Sequence, residues 1–271
     1  MLASIQRVAW NQARRWASTI NPAEQAKFAA LAPSWWSADS PAAALHALNP
    51  ARVKFIALAY ASAQANAGLA PNHASARVLD VGCGGGVLAE PLARLGFGSV
   101  KGIDISQANV DAARAHASST MAVGSGIGSL EYEAIAAEDH VAKYPDQLFD
   151  VVVASEVIEH VADVPLFVSS LASLVAPSGT LVISTLNRTA LSYATAIVGA
   201  ERVCRILPEG THDWNAFLTP DELEAHFDAA GLDLGLIAGM IPDPIERAFT
   251  LHPDHLSINY IAAATPRPAQ L

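Results

Sequence analysis

The stretch Val78-Leu79-Asp80-Val81-Gly82-Cys83-Gly84-Gly85-Gly86-Val87-Leu88-Ala89 decides how the rest of the chain is read. Arg77 to Val81 is a short β-branched run that reads as a buried strand, and glycines follow it without a spacer. Leu88, Leu92 and Leu95 then recur at helical spacing. Strand, glycine turn and helix make the first unit of a doubly wound α/β sheet, with a ligand held at the turn. Glycine there permits unusual dihedrals and lets backbone N–H groups come close to a ligand. The spacing Asp80-x-Gly82-x-Gly84-x-Gly86 is tighter than the dinucleotide pattern G-x-G-x-x-G. Asp80, ahead of the first glycine, suits an ammonium group and would repel a pyrophosphate.

Outward from this unit, Ser99 to Ile103 reads as a second strand ending at Asp104, where an acid can accept hydrogen bonds from ribose hydroxyls. Ser106 caps a helix, residues 118–129 form a Ser/Gly-rich loop, and Leu130 to Ile135 is a third strand. The following Ala137-Glu138-Asp139 either offers an acid to an adenine amino group or is a solvated loop. Phe149 to Ser155 is a buried fourth strand, and Val164 to Leu174 is an amphipathic helix. Pro177-Ser178-Gly179 turns into a fifth strand, Thr180 to Thr185. Thr219-Pro220-Asp221-Glu222 opens a capped helix that Gly231 ends. Leu234 to Met240 and Leu256 to Ala263 supply the last strands as an antiparallel edge hairpin. This order predicts a mostly parallel sheet with crossover helices.

Upstream, Asn21-Pro22-Ala23-Glu24 opens a helix with a cap, an N1 proline and a first-turn acid. Trp35-Trp36 is either a lid over an apolar ligand or a core anchor. Pro50 is read as the start of another helix, which sets Arg52 in a first turn where a cation is disfavoured. Arg52 is therefore expected to meet an anion, such as a ligand carboxylate.

After strand four stands Ser155-Glu156-Val157-Ile158-Glu159-His160, at the sheet edge where ligands bind. On a helical turn Glu156 would share a face with Glu159 and His160, giving two carboxylates and an imidazole for Mg²⁺ or Mn²⁺. The plainer reading is an exposed acidic helix start. Gly210-Thr211-His212-Asp213-Trp214 is a loop with a candidate base, His212. Arg188 to Leu207 is apolar with few charges, suited to a membrane interface or to packing on the core.

The chain has 271 residues, 52% hydrophobic and 15% charged, with a net charge of −10. Such a balance predicts a large core and leaves no basic footprint for nucleic acid. Two cysteines, Cys83 and Cys204, make no disulfide framework and are expected to stay reduced. Residues 1–20 hold Arg7, Arg14 and Arg15 and no acid, the composition of a mitochondrial transit peptide or of an ordinary basic helix.

Asp-Val-Gly-Cys-Gly-Gly-Gly (80–86), Glu-Val-Ile-Glu-His-Val (156–161), Ser-Thr-Leu-Asn-Arg-Thr (184–189) and Gly-Thr-His-Asp-Trp (210–214) together resemble the O-methyltransferases of ubiquinone biosynthesis. Ala-Lys-Phe (26–28), Trp35-Trp36 and Leu48-Asn49-Pro50-x-Arg52 extend the resemblance, which runs in order from about residue 20 to 263. It implies a class I methyltransferase, with a doubly wound, mostly parallel seven-stranded Rossmann-like α/β sheet, an antiparallel edge hairpin and N-terminal helices. The implied reaction is methylation of catechol hydroxyls on polyprenylated head groups, using S-adenosylmethionine and Mg²⁺ or a similar divalent cation. Arg52, Gly82, Asp104 and Ser155 would contact the cofactor, beside Asp80 and Gly84 of the turn. Glu156, Glu159 and His160 would hold the metal, which would do most of the activation, with His160 as ligand or His212 as proton acceptor secondary to it. The implied organisation is a transit peptide over 1–20 and one domain over 21–271, with a helical cap at 21–66 and a substrate and membrane-interface insertion at 188–214. The implied setting is the matrix face of the mitochondrial inner membrane, with peripheral lipid contact and other quinone-biosynthesis proteins as partners. Two rival classes are an NAD-linked oxidoreductase, which Asp80 disfavours, and a non-catalytic lipid-binding scaffold, which would not require these constellations.

Overall fold

The computed structural model describes residues 18–120, 128–203, 212–243 and 248–267. Five parallel strands form where the apolar runs stand: β1 (Arg77–Val81), β2 (Ser99–Asp104), β3 (Ser129–Ala134), β4 (Phe149–Ser155) and β5 (Val175–Leu186). Val151 to Ala154 of β4 and Leu181 to Ile183 of β5 are apolar at consecutive positions because helices cover both faces of the sheet there. Val78, Val151, Val153 and Val182 join one core, whereas Leu79, Val152, Leu181 and Ile183 join the other. The first core is closed by α2 (Ala43–Asn66), α3 (Ala89–Arg94) and α4 (Gln107–Thr120). The second is closed by α5 (Ala137–Lys143), α6 (Val164–Ser173) and α7 (Pro220–Ala229). Ahead of these, α1 (Pro22–Ala29) starts as the sequence predicts, with the Asn21 side chain accepting from the N–H groups of Ala23 and Glu24.

The described residues place eight strands in the order β3-β2-β1-β4-β5-β8-β6-β7, with β6 (Leu232–Asp243), β7 (Ala248–His252) and β8 (Asn259–Pro266) antiparallel to their neighbours. Strand order reverses between β1 and β4, so the glycine turn after β1 and the acidic turn after β4 flank the same crevice. Three details differ from the sequence reading. The sheet gains β7, a half-buried edge strand without the alternation that marks a strand, and the edge hairpin is β6 with β7. The last strand sits between β5 and β6 and includes Ala262 to Ala264, weak strand formers held by pairing on both sides. Pro177-Ser178-Gly179 lies within β5 as a bulge, where the register against β4 shifts, rather than ahead of the strand.

Pro50 does not begin a helix. It lies inside α2, which starts seven residues earlier at Ala43, and burial of Leu48, Ala51, Phe55 and Ile56 holds the helix through the break in its ladder. The first-turn argument for Arg52 therefore falls. In the insertion, Ala190–Ser192 is one helical turn that continues as a π-helix over Tyr193–Val203, and residues 204–211 lie outside the described residues. The leader expected over 1–20 lies outside them up to residue 17. Thr19 is buried: its N–H and hydroxyl bond to Glu138, and its carbonyl accepts from Ala162 N–H. Glu138 is thus engaged by the chain's own N-terminal segment. No described helix is long and apolar enough to cross a membrane.

A reciprocal capping box fixes the start of α7, with Thr219 Oγ1 accepting from Glu222 N–H and Glu222 accepting from Thr219 N–H. Thr219→Ala is expected to cost about 1 kcal/mol and to lower Tm by about 2–4 °C in thermal denaturation. An unchanged Tm would mean that the pairing of Arg188 with Glu222 holds the turn alone.

Candidate active site

A cavity of about 340 Å³ opens at the carboxyl edge of β1 and β4, and all ten residues singled out from the sequence line it. They are Arg52, Asp80, Gly82, Gly84, Asp104, Ser155, Glu156, Glu159, His160 and His212. The glycine turn makes one wall. Gly82 has φ of +72°, and a Cβ there would lie 2.5 Å from Val157 Cγ2, so no other residue fits between the two turns. Gly84 donates its N–H to Asp104 Oδ2 at 2.9 Å, which ties this turn to the end of β2.

Asp80 is buried, and its Oδ2 has no hydrogen-bond partner. Burial pushes its carboxyl up to about 7, although the Arg52 guanidinium nearby pulls the other way. An unpaired buried carboxylate oxygen is costly, and a cationic ligand group removes that cost. Arg52 is also buried, and its contacts within the chain are to neutral oxygens. Its Nη2 donates to Leu45 O and Asn49 Oδ1, and its Nη1 donates to Ser155 Oγ at 2.8 Å, while Nε has no partner. Its charged neighbours are Glu156 and Asp80.

From Ser155 the bonding runs on in one direction. Ser155 Oγ and Ser184 Oγ are 2.7 Å apart, and Ser184 Oγ donates to Glu156 Oε1 at 2.6 Å. Because Ser184 gives its one proton to Glu156, the bond between the serines is donated by Ser155. Arg52, Ser155, Ser184 and Glu156 form a chain that joins the glycine-turn half of the cavity to the acidic half. On the next residue of β5, Thr185 Oγ1 donates to Glu159 Oε2 at 2.9 Å, and Glu159 Oε1 is buried without a partner. Burial and the nearby charge of Glu156 raise Glu159 to about 8.

The helical turn expected to align the acids with His160 does not form. Glu156 has φ of +56°, in the left-handed region rare for a side-chain residue, and only Ile158–His160 make a helical turn, of the 3-10 kind. Ser184 and Thr185 stand on opposite faces of β5, so the two glutamates are held from opposite sides. Accordingly, among the described residues no three acidic, histidine or cysteine side chains converge to hold a metal as they stand. His160 Nδ1 lies 2.8 Å from Glu24 of α1, and burial lowers the imidazole to about 4. Neutral and donating Nδ1–H to Glu24, it keeps a lone pair on Nε2. The His212 ring centroid is 6.3 Å from that of His160.

The sequence reading gave no role to Ser184, Thr185, Glu24 or Asn109. Ser184 and Thr185 lay inside a quoted motif, and polar residues at the end of an otherwise apolar strand are the signal that marks them. Trp35 is buried against the glycine turn, as the core-anchor reading expects, and also lines the cavity.

The methyltransferase domain family matches residues 55–235. The ubiquinone biosynthesis O-methyltransferases of Rhodopseudomonas palustris and Azorhizobium caulinodans are 41% and 43% identical, each over 92% of this chain and 95% of their own lengths. That of Cereibacter sphaeroides is 43% identical over 91% of this chain and 97% of its own. Among solved structures, magnesium protoporphyrin IX methyltransferase from Synechocystis PCC 6803, with bound SAH, aligns with a TM-score of 0.52 at 21% identity, over 80% of this chain and 84% of that one. A SAM-dependent methyltransferase from Thermotoga maritima aligns at 0.51 and 18% identity, over 79% and 92%. At such identities these structures speak for the fold alone. The curated relatives reach further, and on their identity and coverage this chain is a methyltransferase that belongs to the ubiquinone biosynthesis O-methyltransferase family.

Proposed function

We propose that the chain transfers a methyl group from S-adenosylmethionine to a catechol hydroxyl on a polyprenylated head group in ubiquinone biosynthesis, assisted by a divalent cation. The observation that carries this reading is one shared cavity that joins Asp80, whose Oδ2 has no partner, to the Glu156 and Glu159 pair. Asp80 would accept from the cofactor's ammonium, and Asp104 from its ribose hydroxyls. Gly82 and Gly84 leave room for its backbone to lie close. Arg52 and Ser155 keep that end of the cavity polar and fix its hydrogen-bond direction. S-adenosylmethionine brings its own activated methyl group, so the chain has only to align an acceptor oxygen and dispose of its proton.

The donor chemistry fits a divalent cation. Glu159 has an orphaned oxygen, and burial and the charge of Glu156 raise the cost of ionising Glu159 until a cation offsets it. Glu156 and Glu159 would hold the ion, with His160 Nε2 as the third donor, once the turn after β4 brings the three together. When bound, such an ion stabilises an oxyanion as a Lewis acid. His160 itself is better suited as a neutral donor than as a base, since an imidazole near 4 is a poor acceptor for a phenol proton near 10. His212 is the side chain left to take that proton. Phe28, Leu31, Val161 and Leu186 give the cavity an apolar wall, and Ala196 of the π-helix also lines it. Leu191 and Tyr193 are exposed on that same segment, which supports an exit for an apolar tail towards lipid.

The test is methyl transfer from labelled S-adenosylmethionine to a short-chain prenylated dihydroxybenzoate, with Mg²⁺ and with chelator. Transfer that disappears on chelation is the expected result. Transfer indifferent to chelator would remove the cation and leave proton removal to His212. Cofactor binding without transfer would rule out this catechol as the acceptor for the isolated chain.

A further inference from the structure

The sheet does not position Asp104 alone: we propose that Trp35, on the N-terminal cap, is a positioning residue for the Asp104 carboxylate and thereby sets affinity for a ribose diol. The inference rests on the reading of Asp104 as the ribose acceptor. Trp35 bears on both supports of that carboxylate. The first is polar. Trp35 Nε1–H donates to Asn109 Oδ1 at 3.0 Å, and Asn109 Nδ2 donates to Asp104 Oδ1 at 3.3 Å. With its oxygen taken by the indole, the Asn109 amide has one orientation, N–H towards Asp104. The second support is steric. The indole lies flat on the glycine turn, where a Cβ at Gly84 would stand 2.7 Å from the ring and one at Gly85 2.4 Å. Gly84 N–H is the group that holds Asp104 Oδ2.

Ser106 N–H, at 2.8 Å from Oδ1, completes the set. Three donors on a carboxylate that offers about four lone-pair directions leave about one open for a hydroxyl of the ligand diol. Two of the three donors depend on Trp35. Trp35 is also the one member of this group that does not come from the sheet unit. It follows Ala32–Ser34 in the cap, where Trp36 Nε1–H bonds Gly85 O at 2.9 Å and fastens the same turn from the next position. Docking of the cap and geometry of the ribose acceptor are therefore one event.

Trp35→Phe keeps an aromatic ring on the glycines and removes only the indole N–H. Asn109→Ala removes the relay and leaves Trp35 in place. Binding of S-adenosylhomocysteine and of its 2′,3′-dideoxy analogue is measured by calorimetry for the wild type, both single variants and the double variant. Wild type is expected to prefer the diol by at least about tenfold, the worth of one charge-assisted hydrogen bond. Trp35→Phe should reduce that preference at least about threefold, leave the analogue within about twofold, and add nothing in the Asn109→Ala background. Equal weakening of both ligands by Trp35→Phe, no weakening of either, or additivity with Asn109→Ala would overturn the inference while Asp104 kept its role. A wild type that binds both ligands alike would instead remove Asp104 from the ribose, and the inference with it.

Discussion

Asp80→Asn is expected to weaken S-adenosylmethionine binding by about 10- to 100-fold while making the free protein more stable above neutral pH. The two effects have one cause. Asp80 Oδ2 is buried with no partner, and burial outweighs the pull of Arg52, holding the carboxyl near 7. In the unfolded chain the same group titrates near 4. A carboxyl whose folded value is the higher one stabilises the fold most below its unfolded value, and that contribution is lost as pH rises through about 7. Asparagine has the same shape, keeps an oxygen for Ala89 N–H and carries no proton to lose. The Tm gap between variant and wild type should therefore close as pH falls to about 4 and reach about 2–5 °C in favour of the variant at pH 8. Saturating cofactor should reverse the order, because only the carboxylate recovers its cost on meeting an ammonium. A variant that loses stability and affinity together would make Asp80 a structural partner of Arg52 and nothing more.

The parallel half of the fold could be read from the sequence because each of its signals is local. Val78-Leu79 and Val151 to Ala154 are apolar at consecutive positions, which only a strand covered on both faces tolerates. Asn21, Thr219 and Gly231 mark helix ends by their own side-chain and backbone chemistry. Where tertiary contacts override local preference, the reading failed. Pro50 looks like a helix start, yet buried residues before and after it keep α2 continuous. Ala262 to Ala264 would not form a strand alone, and do so between β5 and β6.

The site was legible as a set of residues and less so as an arrangement. All ten residues reach one cavity, since the topology sends the ends of β1, β2 and β4 to the same edge. Helical spacing, however, was the wrong guide to Glu156, whose left-handed backbone turns its side chain to Ser184. Nothing in the order of residues announces that turn. The contribution of Trp35 to Asp104 spans more than 60 positions through Asn109, a distance that no local motif covers.

The last expectation concerns the acids themselves. Glu159→Gln should lower kcat by at least about 100-fold, with the dissociation constant for S-adenosylmethionine changed less than about twofold. Glutamine still accepts from Thr185 Oγ1, so the turn after β4 keeps its anchor on β5 and the cofactor half of the cavity is undisturbed. What disappears is the charge that Glu159 shares with Glu156. That charge is unfavourable in the free protein, where the carboxyl is held near 8 by burial and by Glu156. The free wild type should lose stability as pH rises through about 8, and the variant should lose less. A second readout is independent of turnover: the wild type should take up Mn²⁺ in electron paramagnetic resonance titrations, and Glu159→Gln and Glu156→Gln should not. If the variants kept both turnover and Mn²⁺ uptake, the acids would serve only to hold the turn to Ser184 and Thr185. Lost cofactor affinity would carry a different meaning, because the chain from Arg52 through Ser155 and Ser184 ends on Glu156. Glu159 lies outside that chain, and this separation makes it the sharper of the two substitutions.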